Sequence, residues 1–79
     1  MTGRIIRAKR MAAGIPGYAV CQRAGTTRSR LCEIELGYVI ASAEELHHIA
    51  EAIDQILRTK ERLAELAGEA GLSLAGVPL

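Results

Sequence analysis

Arg28, Ser29, Arg30 and Glu33 bring a planar cation, a hydroxyl, a second cation and a carboxylate within six consecutive positions. On a helix, Ser29 and Glu33 are four positions apart and so lie on the same side. An arginine fork can donate to O6 and N7 of guanine, and a serine hydroxyl can serve a base edge or a phosphate. A carboxylate can accept from N4 of cytosine, and a well-made bidentate contact discriminates by roughly 1–3 kcal/mol. The same residues also suit a solvated charged face, with Glu33 orienting Arg28 or Arg30.

Turn and cap signals define the elements that must hold them. Thr27 is a suitable cap for a helix over 28–36, with Leu31 and Ile34 facing inward and Gly37 closing it. A shorter helix over 17–24 begins after Pro16, has Val20 and Ala24 on one face, and ends at Gly25. Cys21 is a small residue where the two helices approach. Two short helices, a tight glycine turn and apolar residues beneath the second helix specify a helix-turn-helix, whose second helix fits the major groove. A first helix over 4–13 offers Ile5, Ile6, Ala8, Ala12 and Ala13 as its apolar side, and Gly14 ends it.

The rest is a long helical pattern. Ser42 and Glu45 form a capping box after a loop at 38–41. Leu46, Ile49, Ile53 and Ile56 follow at spacings of three and four, continued by Lys60, Leu63, Ala67 and Ala70. Two outcomes stay open: one helix of about 25 residues, or a break near Arg58–Thr59 and a fifth helix folded back. Ile53, Ile56, Leu57, Leu63, Leu66 and Ala67 are the expected dimer contacts in either case. The expected organisation is a DNA-binding domain over 1–57, a helical dimerisation extension over 58–70 and a flexible apolar tail over 71–79, all-α with four to five helices.

Composition narrows the class. Seventy-nine residues suit one domain near the lower size limit for an unaided core, and such chains often dimerise. With two Tyr and no Phe or Trp, the core must be aliphatic. Residues 1–38 carry seven basic groups against Glu33 and Glu35, a charge of +5, whereas residues 39–79 carry −4. A polyanion-facing front and a solvated back follow from that division. No apolar run is long enough for a membrane span, the amino terminus lacks the charged-then-apolar profile of a signal peptide, and a cytoplasmic location is expected. Cys21 and Cys32 fit no metal spacing, and the adjacent His47 and His48 lie on different sides of a helix. Nothing resembles a catalytic set, so neither enzyme activity nor a cofactor or metal is expected.

From Arg4 to about Leu57 the chain resembles the Cro/repressor (XRE) family of phage and bacterial regulators. The matching residues are Arg7 and Arg10, Gly14-Ile15, Gly25-Thr26-Thr27, Ile34-Glu35-Leu36-Gly37, and Ser42 with Leu46, Ile49, Ala50 and Ile53. The resemblance implies a five-helix domain that binds operator DNA as a dimer. It places the reading positions on Arg28, Ser29 and Glu33, with Arg30 and Cys32 as neighbours. It also implies a structural ion pair between Arg10 and Glu35. Pro16-Gly17 departs from the polar cap and glutamine usual in the family, and leaves backbone N–H groups at that helix start to meet a phosphate. Tyr38-Val39-Ile40 replaces residues that are often basic.

Arg7, Lys9, Arg10, Gly17, Tyr18, Arg23, Thr26 and Thr27 are the candidate phosphate contacts, which set register and salt-sensitive affinity. The expected function is a dimeric, sequence-specific repressor of phage, restriction-modification or mobile-element type, bound to a pseudo-palindromic operator. The alternative is a helix-turn-helix fold that binds another regulatory protein, as an anti-activator or antitoxin does.

Overall fold

The computed structural model describes residues 2–70, and the expected apolar tail at 71–79 lies outside them. Four α-helices account for most of the described chain: α1 (Gly3–Ala12), α2 (Gly17–Ala24), α3 (Arg28–Leu36) and α4 (Ala43–Ala70). No strand occurs among the described residues. α2 rests on α4 and against α3, while α1 bridges α3 and α4.

Local chemistry explains each boundary. Thr2 caps α1 by accepting from the Ile5 N–H at 3.3 Å, so the helix starts one residue before the expected Arg4. At its other end Gly14 takes φ +68°, the Ile15 N–H donates to Arg10 O at 3.0 Å, and the Gly14 N–H to Met11 O at 3.0 Å. Gly37 closes α3 in the same manner, with the Tyr38 N–H on Glu33 O at 2.9 Å and the Gly37 N–H on Ile34 O at 3.2 Å. Both are the six-to-one and five-to-two bonds of a Schellman ending, which a left-handed residue makes possible.

The core is aliphatic. Ile6, Val20, Leu31, Ile34, Ile49 and Ile53 are its largest fully covered side chains, each contributing about 1.5–3 kcal/mol by burial. On α1 the expected apolar side divides. Ile6 is buried, but Ile5 is 56% exposed and Ala8 and Ala12 are exposed too. Arg10 and Gly3 pack against α3.

α4 runs unbroken through Arg58–Thr59, so the described residues form four helices with no fold-back at that point. At about 1.5 Å per residue it is about 42 Å long. Its first half covers the core, and Lys60 donates from Nζ to Ala13 O at 2.9 Å, occupying a carbonyl at the end of α1. Ile53 and Ile56, expected at a dimer seam, are instead inside the protomer, because α4 must cover α1 and α2 with that face. Leu57 is partly buried against the same core, and Ala67 is buried. Leu63 is half-buried, and Leu66 is 50% exposed.

Candidate nucleic-acid interface

α3 presents one continuous open face. Arg28, Ser29, Cys32, Glu33 and Leu36 are exposed, while Leu31, Ile34 and Glu35 are buried on the opposite side. The residues that approach it from the chain before it are set by the turn. Gly25 adopts φ +70°, and the N–H groups of Gly25 and Thr26 both donate to Cys21 O, at 2.9 and 3.1 Å. Thr27 then accepts the Arg30 N–H on Oγ1 at 3.1 Å and starts α3.

Two charged forks fix the orientation of α3. Near its end, Arg10 donates from Nε and Nη2 to Glu35 Oε2 and Oε1, both at 2.8 Å, and from Nη1 to Ile15 O at 2.9 Å. Glu35 is 5% exposed. Its hydrogen bonds raise the pKa of Arg10, burial opposes them, and charge attraction adds to the rise. This is the pair expected from the sequence, and it leaves Arg10 engaged within the domain rather than offered to a phosphate.

Near its beginning, Arg30 donates from Nε to Glu45 Oε2 at 3.0 Å and from Nη2 to Glu45 Oε1 at 2.9 Å. Arg30, expected at a base edge, is therefore committed to α4. Ser42 caps α4 by accepting the Glu45 N–H at 3.1 Å, while the carboxylate of the same glutamate is held by Arg30. The sequence pattern identified the cap but not the second use of Glu45. A helix boundary fifteen residues away gives no local signal for such a pairing.

Arg28 behaves differently. Among the described residues it enters no ion pair, and its guanidinium lies over the first turn of α2. A Cβ built at Gly17 would meet its Nε at 3.2 Å. Gly17 is buried, and Pro16 supplies no side-chain cap to α2. The start of α2, with exposed Tyr18, and the start of α3 thus come together around the Arg28 guanidinium. Beneath them Cys21 is buried, which pushes its thiol pKa up, with Arg28 pulling the other way.

The remaining expected phosphate contacts scatter. Arg7 and Arg23 are exposed and enter no ion pair among the described residues, and Thr27 is exposed with Thr26 half-buried beside it. Lys9 lies 2.6 Å from Asp54 of α4 and is paired within the domain. Arg4, not among the expected contacts, lies over the end of α3, its Nε 3.8 Å from a Cβ built at Gly37. His47 and His48 stand beside Glu51 and Glu44 on the surface of α4.

No family model, curated relative or solved structure matches the chain. Among the described residues, no helix is long and apolar enough to cross a membrane.

Proposed function

We propose that this protein is a sequence-specific DNA-binding regulator of transcription, a dimeric repressor that reads the major groove with α3. The observation that carries this reading is the open face of α3, held at both ends by the Arg10–Glu35 and Arg30–Glu45 forks. Reading groups must be presented at fixed geometry, because a bidentate contact depends on the plane and position of the guanidinium. Arg28 supplies the free fork, Ser29 and Glu33 the adjacent donor and acceptor, and the start of α2 with Arg7, Arg23 and Thr27 the backbone grip. The +5 charge of residues 1–38 supplies long-range attraction.

The test is fluorescence anisotropy with duplexes from the gene's own upstream region at two salt concentrations. Sequence-selective, salt-weakened binding is expected. Arg28→Ala should relax selectivity at one base pair, whereas Arg7→Ala should weaken all sequences alike and flatten the salt slope by about one unit. Equal, weak binding to every duplex would reject the reading.

One observation favours a second reading. Ile40 is 99% exposed and Tyr38 77% exposed in the loop after α3, and large apolar side chains grouped on a surface mark protein contacts. In that reading the chain captures another regulator through this loop, and loss of partner binding in Ile40→Asp with DNA binding intact distinguishes the two.

A further inference from the structure

The open face of α3 is only half polar. Arg28, Cys32 and Leu36 stand one helical turn apart in a single row, and Ser29 with Glu33 forms the row beside it. Cys32 is exposed, and Leu36 remains 40% exposed at the last turn. Beyond Leu36 the surface continues into a hollow of mixed character, lined by Glu35 and by Arg4, Arg7, Ala8 and Met11 of α1. An apolar row thus leads away from Arg28 along the helix, through Cys32 to Leu36.

Base edges in the major groove present hydrogen-bonding atoms and one apolar group, the C5 methyl of thymine. A thiol is a small hydrophobe with a weak donor, and leucine has no polar atom at all. Neither can compete with water for a base nitrogen or oxygen, but both gain by covering a methyl.

We propose, resting on the DNA-binding reading above, that Cys32 and Leu36 recognise thymine methyl groups. The half-site then joins the base held by Arg28 to thymines displaced along the groove. One helical turn advances about 5.4 Å, against about 3.4 Å per nucleotide step. Cys32 therefore addresses a base one to two steps from that of Arg28, and Leu36 one about three steps away.

The experiment selects preferred duplexes from a randomised pool with the full-length protein, then replaces each thymine in turn by uracil, which removes the methyl alone. Loss of one contacted methyl should weaken binding about fourfold, the equivalent of roughly 0.8 kcal/mol for one buried carbon group. Cys32→Ser and Leu36→Ala alter exposed positions, so circular dichroism should show parental folding for both. Each should abolish the thymine–uracil difference at its own base and leave the other intact.

A selectively bound duplex that tolerates every uracil overturns the inference and leaves the DNA-binding reading standing. So does a half-site without thymine in that window, or a methyl effect that survives in both variants. Recovery of no preferred duplex, as expected if a protein covers this face instead, overturns the inference and the reading together.

Discussion

Arg30 and Glu45 meet as parallel forks across the gap between the first turns of α3 and α4, with N···O distances of 3.0 and 2.9 Å. The pair joins the helix with the open face to the helix that covers the core. The Arg30 hydrogen bonds hold the Glu45 carboxyl below its ordinary pKa of 4.5, with the arginine's charge adding to the effect and burial opposing it.

That direction gives a pH dependence. Glu45 holds its proton less tightly in the folded than in the unfolded chain, so lowering the pH favours unfolding. Its contribution is present above pH 4.5 and is lost as the pH falls through the depressed folded value. The melting temperature of the parent should exceed that of Glu45→Gln at neutral pH, and the gap should close below pH 4.5. A gap that stays constant into acid would show that the fork adds nothing to stability.

The second fork is buried more deeply, with side-chain exposures of 16% for Arg10 and 6% for Glu35. Arg10→Met leaves a carboxylate stranded beside the core and should cost about 3–5 kcal/mol. In a chain this small, such a loss consumes most of the expected stability. The companion double variant Arg10→Met/Glu35→Leu removes both charges and should recover much of the loss, because a well-packed apolar pair is often no worse than a buried ion pair. Urea unfolding of parent, single and double variants measures this, and equal stability of the single and double variants would contradict it.

The sequence made the helices legible because their boundaries are local events. Thr27, Ser42, Gly14, Gly25 and Gly37 each act within six residues of their partners. The open face of α3 was legible for the same reason, since burying Leu31 and Ile34 leaves 28, 29, 32 and 33 outward. What spacing could not supply was tertiary pairing. Arg30 reads as a free cation until α4 brings Glu45 beside it, and Lys9 until Asp54 arrives. The hydrophobic period of α4 marked Ile53 and Ile56 as needing cover, but a period does not say whether the cover is the same chain or a copy.

Gly3 and Gly68 should respond oppositely to alanine. At Gly3 an added Cβ would collide with the backbone carbonyl of Ile34, so α1 cannot gain a methyl there without moving off the backbone of α3. Gly3→Ala should destabilise by about 1–3 kcal/mol, outweighing the helix propensity that alanine brings. Gly68 lies inside α4, and no atom of the described residues comes within 4 Å of a Cβ added there. Gly68→Ala should stabilise by about 0.5–1 kcal/mol, by restricting the unfolded chain and favouring the helix. Thermal melts of the two variants check both signs, and a stabilised Gly3→Ala would mean that α1 and α3 do not approach in this way.

Self-association offers a choice between two surfaces at opposite ends of the domain. Leu66 is 50% exposed on the outer half of α4, and Ile40 is 99% exposed beyond α3. A dimer that serves a two-fold operator must place its α3 helices about 34 Å apart, one turn of DNA. Joining two copies through Ile40 would cover ground beside the open face of α3, whereas joining them through Leu66 leaves that face free. Sedimentation should therefore show Leu66→Arg shifted toward monomer and Ile40→Arg unchanged in mass, with both variants folded, since neither side chain belongs to the core. The reverse pattern would move the two-fold axis to the loop after α3, and with it the expected use of that loop in protein contact rather than in gripping a phosphate.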